Sequence, residues 1–208
     1  MAATSGTLLR LWRATARVAR ALSGDARATA AVEAALILPA ALLTFALLIY
    51  GAEAFAIQRK VTLTARTVTD LITQATPTQY SSGASVVSHT TIDNALQVAS
   101  SVLAPYSASN LTMVVSEVLV SSGGATATVQ WSEPYNGATA RPANQVVTLP
   151  GTIGSGQAGN YFVLGEVYYT YAPINLFISL SNLTLSGSIY LTPRQSTSII
   201  CGDCATPN

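Results

Sequence analysis

Charged residues are scarce in this chain, at 9% of its 208 residues, whereas hydrophobic residues make up 50%. Soluble domains usually carry about 25% charged residues, so we expect part of this chain to lie in lipid or to pack against another molecule. Basic residues are concentrated in the first third, and beyond Arg66 only Arg141 and Arg194 remain. This distribution excludes a broad basic surface for nucleic acid.

Histidine is nearly absent as well. The single one, His89, stands in the polar segment "VVSHTTID". A zinc site or general acid–base catalysis would need partner residues, and we expect a solvated side chain instead. The sequence therefore predicts no enzyme activity, no catalytic residue, no metal site and no bound cofactor.

What the chain does have is a long apolar run, "ATAAVEAALILPAALLTFALLIYGAE", with Glu33 near its front edge and Glu53 at its end. About nineteen uncharged residues lie between these acids, and at 1.5 Å per residue a helix of that length nearly covers a 30 Å hydrocarbon core. Each acid would then lie near one membrane interface. Pro39 removes one backbone hydrogen bond and predicts a kink or a loosened turn.

A basic leader precedes this run. Its arginines predict an amino terminus in the cytoplasm by the positive-inside rule. They share one face of a predicted amphipathic helix, so the leader either lies on an anionic membrane surface or is only a topology signal without stable structure. The leader arginines on that face are Arg10, Arg13, Arg17 and Arg20.

A cleaved secretory signal is the alternative interpretation of the run. The segment "GAEA" places Ala52 and Ala54 in the small-residue spacing that signal peptidase prefers. Cleavage there would release a secreted adhesin or binding domain. The length of the apolar stretch and of the leader favours a retained membrane span.

The residues "RATAAVEAALILPA" from Arg27 resemble the start of the TadE/TadG-like proteins of tight-adherence (Flp-type) pilus systems. The matching features are the "AVE" that ends at Glu33, the proline Pro39 within the apolar run, and the later pairs Ala65–Arg66 and Asp70–Leu71. Two positions depart from the family pattern, since the usual glycine is Ala28 and the aromatic after the glutamate is Ala34. The resemblance is close over residues 27–74 and looser in the strands that follow.

This resemblance implies a pseudopilin-like component of pilus assembly in the bacterial inner membrane. It implies that a prepilin peptidase cuts between Ala28 and Thr29, and that the partners are other pilin-like or assembly-platform proteins. It assigns Glu33 and Pro39 to helix register and processing. A simpler explanation for Glu33 is an acid near a helix amino terminus, where the helix dipole favours negative charge.

The remaining sequence predicts an α+β domain. Residues 1–29 form the cytoplasmic leader, 30–74 the transmembrane helix with its outward extension, and 75–208 a periplasmic domain. In that domain "TIDNALQVASSVLAPY" predicts a helix capped by Thr91 or Asp93, with core positions that include Val98. Strand-like runs such as "LTMVVSEVLV", "YFVLGEVYYTYAP" and "LTLSGSIYLTPRQ" predict a four- to five-stranded antiparallel sheet in a pilin-like arrangement.

Two further features of this domain have competing interpretations. Tyr168, Tyr169 and Tyr171 form a recognition stripe or, as we expect, pack on the sheet. Cys201 and Cys204 in "CGDC" form a thiol–disulfide exchange site or a small closed disulfide. The motif follows a strand instead of opening a helix, so we expect the closed disulfide of an oxidising compartment.

Overall fold

The computed structural model describes residues 26–75, 83–173 and 181–206. The leader arginines lie outside this range. The chain divides into two units, Met1–Gly51 and Ala52–Asn208. The helices are α1 Ala26–Thr73 and α2 His89–Ser100, followed by 3-10 turns at Ser101–Leu103 and Ala108–Asn110; the strands are β1 Ser85–Val86, β2 Leu111–Val120, β3 Thr126–Tyr135, β4 Val146–Thr148, β5 Tyr161–Tyr171, β6 Leu183–Leu191 and β7 Ile199–Ile200.

The second unit is an α+β domain with an antiparallel sheet, which confirms the α+β part of the predicted fold class. Its main sheet has five antiparallel strands in the order β4-β3-β2-β5-β6. Strands β1 and β7 form a separate parallel pair. The central strands β2 and β5 alternate β-branched, aliphatic and aromatic residues, which suit a pleated surface that is buried on both faces.

Helix α1 covers one face of this sheet with the part of its length that belongs to the second unit. Its core positions recur at helical spacing, because residues three or four apart share one face of a helix. Leu63 and Leu71 lie on the opposite side and are exposed. The buried apolar residues of this part of α1 are Ile57, Val61, Ala65, Val68 and Ile72.

Two glycines allow α1 to approach the sheet closely. A side chain at Gly165 in β5 would overlap the Thr69 hydroxyl oxygen and lie 3.3 Å from the carbonyl oxygen of Ala65. A side chain at Gly187 in β6 would lie 3.3 Å from the Cα of Thr62. The helix therefore rests on backbone at these points, which a larger residue would prevent.

Helix α2 begins earlier than the sequence predicted. Its cap is Ser88, whose hydroxyl accepts a hydrogen bond from the Thr91 N–H, so neither Thr91 nor Asp93 is the cap. Placing Val98 in the core was also wrong, since it is 60% exposed. The buried face is set by the spacing of Ile92, Leu96 and Ala99, and Val98 points away from it.

The opposite face of the sheet carries a second apolar cluster. It lies at the end of the sheet where β3 pairs with the short strand β4. The register of the β2–β3 pairing shifts here, because Glu117 pairs with Trp131 and Val118 with Val129, which leaves Gln130 of β3 without a partner in β2. The buried residues of this cluster are Val118, Val120, Ala127, Val129, Val147, Leu149, Phe162 and Leu164.

Candidate functional site

The first half of α1 is the most exposed apolar surface that the structure describes. Between Thr29 and Gly51 almost every side chain is exposed, and the most apolar window of the helix has a mean hydropathy of 2.3 with only 6% of it buried. This helix is long and apolar enough to cross a membrane. Signal sequences can have the same length and composition. These two properties therefore show that the helix can span a membrane, and they do not show the topology of the chain.

Glu33, Pro39 and the predicted cleavage site at Ala28 and Thr29 all lie on α1. Glu33 is exposed and lies beyond the first helical turn, which contains no acidic residue. The helix-dipole explanation for Glu33 remains an alternative prediction, because the description of this helix starts at Ala26. The helix continues through Pro39 to Thr73, and the bond between Ala28 and Thr29 lies in the first turn. A peptidase that needs an extended substrate would have to unwind that turn.

Glu53, the acid at the end of the apolar run, has a partner that the sequence did not predict. Its Oε2 accepts a hydrogen bond of 2.8 Å from the Tyr171 hydroxyl at the end of β5. Tyr169 and Tyr171 are buried in the core beneath α1, whereas Tyr168 lies on the other face. The three tyrosines therefore do not form one recognition stripe, and the expected packing holds for the two inward ones.

Cys201 and Cys204 form the predicted disulfide. Both sulfur-bearing residues are buried, at 0% and 6% exposure. Thiol–disulfide exchange needs an accessible sulfur for the attacking thiolate. The closed and buried pair is therefore a structural element of the carboxyl-terminal segment.

Hydrogen bonds fasten the loop of this disulfide to the rest of the domain. Asp203 Oδ1 accepts the His89 N–H at 2.9 Å, at the start of α2. Glu133 of β3 accepts the Ala205 N–H at 2.7 Å and lies 2.9 Å from Nδ1 of His89. The His89 side chain is exposed to solvent, as expected, and it also contacts Glu133, a partner that the sequence did not predict.

A buried carboxyl group holds the strand that leads into this loop. Glu117 is 1% exposed, and its Oε1 accepts the Ile199 N–H at 2.6 Å, while the Trp131 indole donates to the Ile199 carbonyl at 2.5 Å. Burial raises the pKa of Glu117 to about 8, against the opposing effect of the Ile199 hydrogen bond. In the sequence this group is recognisable only as an acid in the middle of an apolar strand.

A cavity of about 360 Å³ lies on the sheet face away from α1. Arg141 forms a two-point ion pair with Glu166 at its wall, at 2.6 and 2.7 Å, and the Tyr168 hydroxyl donates to the same carboxylate at 3.1 Å. Burial and the nearby carboxylate raise the pKa of Tyr168. Because these groups satisfy one another, the wall holds a paired structural network.

Comparison of the chain with family models, with curated proteins and with solved structures found no match. The resemblance to TadE/TadG-like proteins therefore rests on the motifs around Glu33, Pro39 and Asp70 themselves. Those motifs lie on α1, the element that also carries the exposed apolar surface. This helix is the candidate functional site.

Proposed function

We propose that this protein is a membrane-anchored, pseudopilin-like component of a tight-adherence (Flp-type) pilus assembly system. The observation that carries the proposal is the composition of α1. One half exposes a continuous apolar surface, and the other half packs into the core of an α+β domain. Such a helix can hold a folded domain at a membrane while its lipid-embedded part contacts other helices.

The proposed orientation has the leader in the cytoplasm and the α+β domain in the periplasm. The excess of arginines ahead of the apolar run supports it. The Cys201–Cys204 disulfide supports it independently, because disulfides persist in oxidising compartments such as the periplasm. The membrane is then the bacterial inner membrane, crossed once.

Assembly proceeds in this proposal by lateral packing of helices in the bilayer. Small residues on α1, such as Ala35, Ala40 and Gly51, permit close approach of a neighbouring helix. Glu33 fixes the register, because a carboxylate at the membrane edge is stabilised by an α-ammonium group of its own or a neighbouring chain. Processing between Ala28 and Thr29 by a prepilin peptidase would create that ammonium group.

The amino terminus of the mature protein tests the proposal most directly. Sequencing should find Thr29 as the first residue, or Met1 if the anchor is retained without processing. A start at Phe55 would show that signal peptidase releases the domain, and would replace the proposal with the secreted adhesin. Deleting the gene and counting surface pili then tests the role in assembly.

Substitutions at Glu33 test the mechanism separately from anchoring. We expect Glu33→Gln and Glu33→Ala to remain in the membrane fraction while cross-linking to partner helices and pilus number both fall. Thr44→Val is the matched control, because the Thr44 hydroxyl bonds only to the carbonyl of Ala40 within its own helix. Unchanged cross-linking and pili in both Glu33 variants would contradict the register role.

A further inference from the structure

Among the described residues, strand β6 is an edge of the main sheet that no further strand covers. It runs for nine residues, Leu183–Leu191, and pairs only with β5. It contains no charged residue and no proline. Natural sheets usually protect an edge of this length with charges, prolines, bulges or a covering element. The opposite edge, β4, has three residues and needs no such protection.

The outer side of β6 has hydrogen-bonding groups to offer. Every second residue of an edge strand directs its N–H and C=O away from its only neighbour. Within the described ranges no strand pairs with this side. One side chain reaches the strand, since Gln58 of α1 donates a 2.8 Å hydrogen bond to the Ser186 carbonyl.

A basic face of α1 lies next to this edge. Thr62 rests on Gly187, and Gln58 contacts Ser186, so these α1 residues lie at β6. They line a groove of about 280 Å³ together with Arg59, Leu63 and Arg66, all three exposed. The hydrogen bonds and ion pairs of the described residues include neither guanidinium group.

The charges argue against a second copy of this chain as the occupant. Most carboxylates of the domain are already engaged, for example Asp70 with Arg194 and Glu166 with Arg141. Pairing two copies through β6 would also bring two sets of unpaired arginines toward each other, which costs free energy. The edge of β6 could pair with the backbone of an extended segment, and Arg59 and Arg66 could bind carboxylates on the same segment.

We propose that β6 binds an acidic extended segment of another protein, which adds to the sheet as a further strand. Its backbone would pair with the outer side of β6, and its carboxylates would form charge-assisted hydrogen bonds with Arg59 and Arg66. Gln58 would release the Ser186 carbonyl to the incoming strand. The inference goes beyond the proposed function, because it requires neither pilus assembly nor processing of the leader.

Binding of designed peptides to the full chain tests this proposal. The chain is placed in nanodiscs of zwitterionic lipid. The probe is a labelled nine-residue peptide built from threonine and valine in alternation, in which glutamates take positions on one face of the strand. We expect binding by fluorescence anisotropy and slower deuterium exchange at β6 amides. A matched peptide with glutamine in place of glutamate should bind about tenfold more weakly, and one with lysine should not bind.

Methylation of the peptide amides distinguishes strand addition from simple charge attraction. Only every second amide of an added strand faces β6. We therefore expect one alternating set of N-methyl groups to abolish binding and the other set to leave it nearly unchanged. Equal effects of the two sets would overturn strand addition.

Variants of the chain test the role of the arginines. Arg59→Gln and Arg66→Gln together should remove the tenfold preference for the glutamate peptide, while Arg59→Lys should keep much of it. Lys60→Gln is the matched control, because the Lys60 ammonium turns to the Val102 carbonyl on another side of the helix. A preference that survives loss of both arginines would contradict the proposal.

Two other occupants have distinct outcomes, and each would overturn the proposal. Protection of β6 that rises with protein concentration in the absence of peptide would identify a second copy. Binding to phosphatidylglycerol vesicles that depends on Arg59 and Arg66, without any peptide binding, would identify anionic lipid.

Discussion

Between Thr29 and Gly51 helix α1 exposes nearly every side chain, whereas between Ala52 and Thr73 it buries an apolar residue at every third or fourth position from Ile57 to Ile72. The first half is apolar all round, as expected for a lipid-facing helix, and the second half is amphipathic. The difference shows that one uninterrupted helix can carry two kinds of surface. The hydrophobic residues of the first half make the helix long and apolar enough to cross a membrane, whereas those of the second half pack into the core of the α+β domain.

The largest expected effect is the loss of stability when a charged residue is placed in the buried face of the second half of α1. Val61→Asp puts a carboxylate at a position with 0% exposure in the apolar core. Such a charge costs several kcal/mol, against a total stability of about 5–15 kcal/mol for a typical domain. We expect loss of the folded domain in limited proteolysis and thermal unfolding. Leu63→Asp on the exposed face is the control. If Val61→Asp and Leu63→Asp destabilised the domain equally, the distinction between a buried and an exposed face of this half would be wrong.

A charge in the first half should act on the membrane and not on the fold. Leu43→Arg places a guanidinium near the middle of the apolar run, where insertion costs about 3 kcal/mol. We expect a larger share of the chain to be extracted from membranes by alkaline carbonate, with the thermal unfolding of the outer domain unchanged. Leu43→Ala should stay in the membrane. Retention of Leu43→Arg at the wild-type level would argue against a spanning helix.

The carboxylates of the two regions also differ in their exposure to solvent, since Glu33 in the first half of α1 is exposed and Glu117 in the α+β domain is buried. The pKa of Glu117 rises from 4.5 to about 8 on folding. Between these values the native state keeps a proton that the unfolded state has released, so the free energy of unfolding falls as the pH rises. The stabilisation is complete below about pH 4.5 and is lost as the pH passes through about 8.

Glu117→Gln is expected to flatten this pH dependence in urea unfolding across the same window. The amide can still accept the Ile199 N–H, so the domain should fold. Asp93→Asn on the exposed side of α2 is the control and should keep the wild-type slope. A wild-type slope in Glu117→Gln would assign the pH dependence to other groups.

The smallest effect is expected where the second half of α1 touches the sheet. Gly165→Ala would push a methyl group against Thr69 and the Ala65 carbonyl, and overpacking of this kind costs about 1–3 kcal/mol. Thermal unfolding should show the loss, and adding Thr69→Ala should restore part of it, as a double-mutant cycle would report. Gly51→Ala, where a side chain meets nothing within 4 Å, is the control in the first half.

Much of the fold could be predicted from periodicity. The 3.6-residue spacing of Ile92, Leu96 and Ala99 and the alternating strands indicated a helix and an antiparallel sheet, both of which the structure contains. Boundaries were less secure, because a cap such as Ser88 is defined by a single hydrogen bond. Val98 was assigned to the core because hydrophobicity alone does not tell which helix face meets the sheet.

The candidate sites also differ in how far they could be predicted from the sequence. Cys201 and Cys204 could be paired from their spacing and context, because a short loop constrains both residues locally. The contacts Glu53–Tyr171 and Glu133–His89 join residues far apart in the chain, at separations of 118 and 44 residues. No local pattern encodes such contacts, since they depend on how the helices and strands pack.

By itself the sequence determined that a long apolar helix precedes an α+β domain, because hydrophobicity and its period act over neighbouring residues. Only the tertiary structure decided that, among the residues it describes, β6 is an edge strand and Arg59 and Arg66 lie near it without an ion pair. It also decided that Glu117 is enclosed and that its pKa is raised, because burial is a property of everything that surrounds a residue and not of the residue itself.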